Sequence, residues 1–305
     1  MQLLNHTPAF DPEFARELAE ENFGLRADAR ALPSERDQNF LLTNDAGEKF
    51  VLKIANALES RALLEAQNAV LEHLEPRISF CPRVVPGLNG ERIIARSNHL
   101  VRLMTYLPGR PLGEVKKRSP ELLRDLGRKL GQMDRALADF DHPAVHRDFH
   151  WDLASGNRVI DEYSGLVEPG LRELVLKCRI ELQTDLRRSV IHGDANDYNV
   201  LVDADRITGL IDFGDIVYGW TIGELAVALA YVVLGADDPF AAAGPVIEGY
   251  DEVFGICEQD VLWDLVRLRL AMSVCLAAHQ LQQRPENDYL RISQQAIRES
   301  LPMLF

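Results

Sequence analysis

Two short segments hold most of the residues in this sequence that could do chemistry together. The first reads Ile191-His192-Gly193-Asp194-Ala195-Asn196-Asp197-Tyr198-Asn199-Val200-Leu201-Val202, and the second Gly209-Leu210-Ile211-Asp212-Phe213-Gly214-Asp215. They place an acid and an amide on one loop and a second acid one strand–turn–strand later. Phosphoryl transfer asks little covalent chemistry of a protein. It needs a carboxylate beside the attacking hydroxyl and hard oxygen ligands that hold Mg²⁺ against the phosphates. On this reading Asp194 is the base, and Asn199 and Asp212 are the metal ligands. The short strand-like runs 200–202 and 207–211, joined by Asp203-Ala204-Asp205, would return Asp212 to the side of Asn199.

The spacing H-x-D-x-x-x-x-N followed by D-F-G is that of protein kinases. The bland alternative makes Asp194 and Asn199 turn residues and Asp212 a helix cap, but three matched elements in order are hard to obtain by accident. His146-Arg147-Asp148 spells a related triplet that fails the same test, because Leu153 stands where the asparagine should be. It reads as a charged loop with a structural role, pairing lobes or lining an acceptor pocket being the alternatives.

Other elements must position a nucleotide. Gly47-Glu48-Lys49-Phe50-Val51-Leu52-Lys53-Ile54 alternates so that Val51 and Lys53 share one strand face. Lys53 could reach the α/β-phosphates and Val51 would lie against the base; without the downstream segments, Lys53 would be a solvated edge lysine. A helix glutamate should orient it, Glu65 first and Glu59 second. Ser34 and nearby backbone N–H groups could touch phosphate, although the loop 32–40 has no glycine. Met104, Thr105 and Tyr106 would form the hinge that reads the base edge.

Around these lie a helix opened by Asp11-Pro12 and closed by Gly24, a hairpin over 38–44 and 48–55, a helix over 59–74, and strands near 92–96 and 99–106. Leu107-Pro108-Gly109-Arg110-Pro111 breaks periodicity. It divides a nucleotide-binding part, 1–106, from a catalytic and acceptor-binding part, 107–305. The second part reads as helices over 119–138, 170–188, 221–234, 241–255, 258–282 and 286–300. A strand-rich half followed by a helical half is an α+β class.

Composition excludes several partners. The formal net charge of −14 argues against nucleic acid and favours a cationic acceptor, or merely aids solubility. The 305 residues contain no apolar run of membrane-spanning length, and the N-terminus is unlike a signal peptide. Four scattered cysteines suggest buried thiols in a cytoplasmic protein. A cationic acceptor would need carboxylates near Asp194, and Asp197, Asp215, Asp152 and Glu224 are the candidates. Trp151 or Trp220 could add a cation–π face, although core packing explains either one singly.

The HGDxxxxN segment, the IDFGD segment and the upstream VLK strand resemble the aminoglycoside phosphotransferase / choline kinase-like superfamily. Asp37-Gln38-Asn39-Phe40, Tyr106-Leu107-Pro108-Gly109, Trp151-Asp152-Leu153 and His192 to Asp197 are similar to its hydroxylysine kinase branch. The resemblance runs from about residue 30 to 235. It implies a bilobal protein-kinase-like fold with a small antiparallel-sheet N-lobe and a large, mainly helical C-lobe. It also implies the roles given above to Asp194, Asn199, Asp212 and Lys53, with ATP or GTP as donor and an amino-alcohol such as 5-hydroxylysine as acceptor. Bacterial relatives fused to a PLP-dependent aminotransferase module make such a fusion or association an expectation, so the chain could be one domain of a longer polypeptide. Asn196 stands where many relatives have a second histidine. Gly219 to Ala226 departs from their G-D-P-x-x-D-L-A segment. Both differences speak against an antibiotic-modifying enzyme. The alternatives are a nucleotide-binding regulatory or pseudokinase domain and a protein kinase, the latter disfavoured by the missing Gly-rich loop.

Overall fold

The computed structural model describes residues 8–34, 37–181, 186–283 and 294–305. The chain forms two compact units, Met1–Pro108 and Gly109–Phe305. Among the described residues no helix is long and apolar enough to cross a membrane.

The first unit opens with helix α1 (Pro12–Phe23). The Asp11 carboxylate accepts the Phe14 N–H, Pro12 occupies the first turn, and Gly24 closes the helix at φ 65°. Then come strands β1 (Ala27–Leu32), β2 (Gln38–Asn44) and β3 (Lys49–Ile54), helix α2 (Arg61–Leu74), and strands β4 (Val84–Val85), β5 (Ile94–Arg96) and β6 (His99–Thr105). The strands pair antiparallel in the order β1-β2-β3-β6-β4, with β5 on β6. Leu52 and Ile54 are fully buried with Phe40, Leu42, Val101 and Leu103 against Ala15, Leu18 and Ala19 of α1. Each such leucine or isoleucine contributes about 1.5–3 kcal/mol. β1 has no counterpart in the sequence reading, because its Ala-Asp-Ala-Arg-Ala-Leu is a half-exposed edge strand without a hydrophobic pattern.

The second unit contains β7 (Arg110–Pro111), α3 (Pro120–Leu137), α4 (Gly156–Tyr163), α5 (Pro169–Lys177), β8 (Arg188–Ile191), β9 (Val200–Asp203), β10 (Arg206–Leu210), β11 (Val217–Trp220), α6 (Ile222–Val232), α7 (Pro239–Val253), α8 (Gln259–Gln283) and α9 (Gln294–Ser300). β9 lies between β10 and β7, and β11 pairs with β8. The class is therefore α+β, with an antiparallel-sheet unit followed by a mainly helical one, as in protein kinases. The helix expected over 170–188 ends at Lys177. Both polar ends of the Asn157 amide hold the Ile180 backbone, which draws the chain out of helical register. Residues 182–185 of that expected helix, and 286–293 of the one expected over 286–300, lie outside the described residues. The described cysteines are free thiols. Cys81, Cys178 and Cys275 are buried as expected, whereas Cys257 is exposed.

Helices α3 and α7 approach at two glycines. A Cβ built on Gly127 would overlap the Val246 carbonyl oxygen, and one on Gly249 would overlap the Arg124 carbonyl oxygen. Gly249→Ala should therefore destabilise the fold by about 1–3 kcal/mol through overpacking, although alanine is by itself the better helix former. Chemical denaturation checks this. A variant as stable as the parent would show that the two helices separate without penalty.

Candidate active site

The two chemistry-bearing segments meet in the second unit. His192, fully buried, ties them together: its Nδ1 accepts the Asp194 N–H (3.2 Å), so Nε2–H donates to the Ile211 carbonyl (3.0 Å). Its ring packs edge-on against Phe213 at 4.7 Å. Gly193 adopts φ 74°, a left-handed conformation, and donates its N–H to Glu224 Oε2 at 3.0 Å. The Ile211 N–H bonds the Asn199 carbonyl at 2.9 Å, which sets Asp212 beside the asparagine.

Asp194 sits among three side-chain donors. Oδ1 accepts from Arg269 Nη2 (2.8 Å), and Oδ2 accepts from the amides of Asn196 (3.0 Å) and Asn199 (2.9 Å). Its side chain keeps 20% exposure, whereas that of Arg269 keeps 2%. Burial, then the charge of Asp215, hold the Asp194 carboxyl up at about 7, against the opposing pull of Arg269 and Asn196; Asp212 pushes the same way as Asp215. Asp215, Arg269 and Asp212 are thus close enough for their charges to act on Asp194.

The Asn199 amide gives its hydrogens to the carbonyl and to Oδ2 of Asp194. Its own oxygen has no hydrogen bond among the described residues. Asp212 holds φ 63°, ψ 76°, a left-handed conformation that costs a non-glycine residue about 1–3 kcal/mol. An unpartnered amide oxygen beside a carboxylate on a constrained turn is an oxygen-only donor pair. It fits Mg²⁺, which prefers one or two carboxylates, neutral oxygens and phosphate.

Arg147 fastens the turn that follows Asp212. Its Nη2 donates to the carbonyls of Gly214 and Ile216, both at 3.1 Å, while the guanidinium stacks 4.0 Å from the Phe149 ring centre. The rest of that triplet faces elsewhere: His146 bonds Asp141 at 2.7 Å, and Asp148 pairs with Arg158.

The candidate acceptor residues divide. Trp151, Asp152, Asp215 and Trp220 border one small cavity with Phe149 and Gly193. Burial pushes the Asp152 carboxyl up. Asp197 is instead committed to Arg118 at 3.0 Å. Glu224 is fully buried and supports the Gly193 backbone from beneath. Both tryptophans already face cations, Trp151 with Arg269 at 4.5 Å and Trp220 with Arg188 at 5.8 Å.

In the first unit Lys53, Val51, Arg102 and Met104 share a sheet face, since Lys53 pairs with Arg102 and Val51 with Met104. From α2, Gln67 and Asn68 reach that face, accepting from Arg102 at 2.7 and 3.0 Å. Glu65 is exposed and lies 3.7 Å from Arg61, and Glu59 accepts the Ser60 N–H in the turn before α2. The Thr105 hydroxyl and N–H are both committed to Arg83, and the Tyr106 N–H bonds the Lys49 carbonyl. Ser34 is exposed in the loop before β2.

Arg269 and Arg147 are the site's unforeseen members. The one sign of Arg269 was a charge inside the apolar run Leu268-Arg269-Leu270-Ala271-Met272. Arg147 lies in a triplet that reads as a charged loop with a structural role, with nothing in the sequence to show that it holds the turn after Asp212.

The sequence profile of the phosphotransferase enzyme family matches residues 28–255. The chain is 32% identical to the hydroxylysine kinase of Mus musculus, over 98% of this chain and 90% of that one. It is 30% identical to the homoserine kinase of Parvibaculum lavamentivorans, over 71% of this chain and 68% of that one. Among solved structures, amicoumacin kinase hAmiN, in complex with AMP-PNP, Ca²⁺ and Ami, has the same fold. Its TM-score is 0.74 at 16% identity, covering 96% of this chain and 93% of that one. The chain belongs to the phosphotransferase enzyme family, as a small-molecule kinase of the aminoglycoside phosphotransferase / choline kinase-like superfamily.

Proposed function

We propose that this kinase transfers the γ-phosphoryl group of ATP or GTP to the hydroxyl of an amino-alcohol or hydroxy amino acid, with a hydroxylysine-like acceptor favoured. The observation that carries the reading is the partly exposed Asp194 carboxylate, oriented by three donors beside the unpartnered oxygen of Asn199. Asp194 accepts the acceptor's hydroxyl proton. Asn199 and Asp212 would hold Mg²⁺, which when bound neutralises phosphate charge. Lys53 binds the donor phosphates as a point charge. Val51 and Met104, with which it shares a sheet face, and Thr105 and Tyr106 beyond them contact the base.

Names of relatives favour the acceptor class: hydroxylysine and homoserine are both hydroxy amino acids, each with an ammonium group. Asp152 and Asp215, which border the cavity, are the carboxylates for that ammonium. Asp197 is a poorer choice because it pairs with Arg118 and is not among the residues that border the cavity.

A donor-by-acceptor screen tests the reading. With 5-hydroxylysine, homoserine, ethanolamine, choline and an aminoglycoside, hydroxylysine should give the highest kcat/KM, and lysine should give no transfer. Asp152→Asn should raise the hydroxylysine KM about tenfold, the loss of one charge-assisted contact. Preference for the aminoglycoside would overturn the acceptor class. Nucleotide binding without transfer to any acceptor would favour a regulatory domain.

A further inference from the structure

Arg269 is a charge placed where the fold itself asks for a hydrophobe. Its neighbours on α8, Leu268, Leu270, Ala271 and Met272, are fully buried, and Arg269 itself is 1% exposed. Burying a guanidinium is costly, and a buried ion pair is often replaceable by apolar side chains without loss of stability. Stability alone is therefore a poor reason for this arginine.

Its partners point elsewhere. Nη1 donates to the Trp151 carbonyl at 3.2 Å and Nη2 to Asp194 Oδ1 at 2.8 Å, while Nε has no hydrogen bond among the described residues. The guanidinium lies 4.5 Å from the Trp151 ring centre and 5.8 Å from that of Tyr231. Two aromatic rings thus flank a fork whose one tip grips the carboxylate across 75 residues of chain.

The lone pairs of Asp194 complete the argument. An ionised carboxylate has about four acceptor sites, two on each oxygen. The amides of Asn196 and Asn199 fill both on Oδ2, and Arg269 fills one on Oδ1. One site remains open, and it is on Oδ1.

We propose that Arg269 is a positioning residue that fixes Oδ1 of Asp194 as the atom receiving the acceptor's hydroxyl proton. This rests on the reading of Asp194 as base. The acceptor oxygen bonds to the γ-phosphorus, the bond from that phosphorus to the β–γ bridging oxygen breaks, the nucleoside diphosphate departs with its electron pair, and the proton moves to Oδ1.

The test compares R269M, R269K, D194N and the double variant D194N/R269M, with kcat, acceptor KM, nucleotide Kd and thermal melts measured for each. R269M should lower kcat by about a hundredfold, the scale of a misplaced catalytic group, with nucleotide Kd unchanged. R269K keeps the charge but loses the fork and should recover part of the rate. Because Arg269 acts through Asp194, the double variant should be no slower than D194N alone.

Wild-type kcat in R269M would overturn the proposal, as would additive losses in the double variant. A raised acceptor KM at unchanged kcat would make Arg269 a substrate contact and overturn it too. Should R269M fail to fold, R269K carries the test: a kcat lowered at least about tenfold supports the proposal, and a wild-type kcat refutes it. If D194N itself turns over normally, it is the base reading that fails. If D194N is inactive and both Arg269 variants are normal, only the role of Arg269 falls.

Discussion

Asp194→Asn should leave nucleotide bound and lower kcat by about 10²–10⁴-fold, the range expected when a general base is removed. The substitution is nearly isosteric. The amide oxygen it introduces can still accept from Arg269, and the loop keeps its ties through His192 and Asn199. What is lost is the anion proposed to take the proton. Because the group acts in turnover, kcat and kcat/KM should fall together while nucleotide affinity stays. The variant also removes the carboxylate that the buried Arg269 bonds directly. Breaking a fully buried pair costs about 3–5 kcal/mol, and the exposure that Asp194 retains puts this case at the lower end. Melts recorded beside the kinetics separate lost fold from lost chemistry.

Asp212→Asn should have an effect of the same order by a different route. Asparagine tolerates the left-handed backbone at this position, so the turn survives and the charge alone is removed. Alanine would add backbone strain and confuse the result. A carboxylate ligand that supports charge neutralisation is worth several kcal/mol in the transition state, or about a thousandfold in rate. The expected result is a kcat lowered by about that factor at millimolar Mg²⁺, with Asp194 and its donors unchanged. Steady-state kinetics across a Mg²⁺ titration check it. Wild-type kcat at ordinary Mg²⁺ would remove Asp212 from the ligand set.

Much of this site is local in sequence, and that part was legible. His192, Asp194, Asn196 and Asn199 lie on one loop, and the Ile211–Asn199 backbone bond returns Asp212 to it through a short hairpin. Residue types and spacing alone could suggest that geometry. The α1 caps and the alternation in β3 were equally local. Long-range partners were not legible. Arg269 is 75 residues from Asp194, on a helix whose pattern says only that it is buried. Arg147 reaches the Asp212 turn from 67 residues away. The contact of Glu224 with Gly193 depends on the N-terminal turn of α6 meeting the loop from below. Edge strands were missed for a related reason. β1 is half exposed, and β8 and β11 have four residues each, so no hydrophobic period develops before pairing fixes them. Motif spacing could place the candidate acceptor residues near the loop, but only packing reveals that Asp197 is already engaged by Arg118 and the Trp151 face by Arg269.

A single-turnover experiment with γ-labelled ATP and 5-hydroxylysine tests the central claim most directly. Wild-type protein should move the label onto the acceptor hydroxyl. Asp194→Asn, with the same nucleotide occupancy, should move it about 10²–10⁴ times more slowly. Equal rates of label transfer in the two proteins would contradict the account.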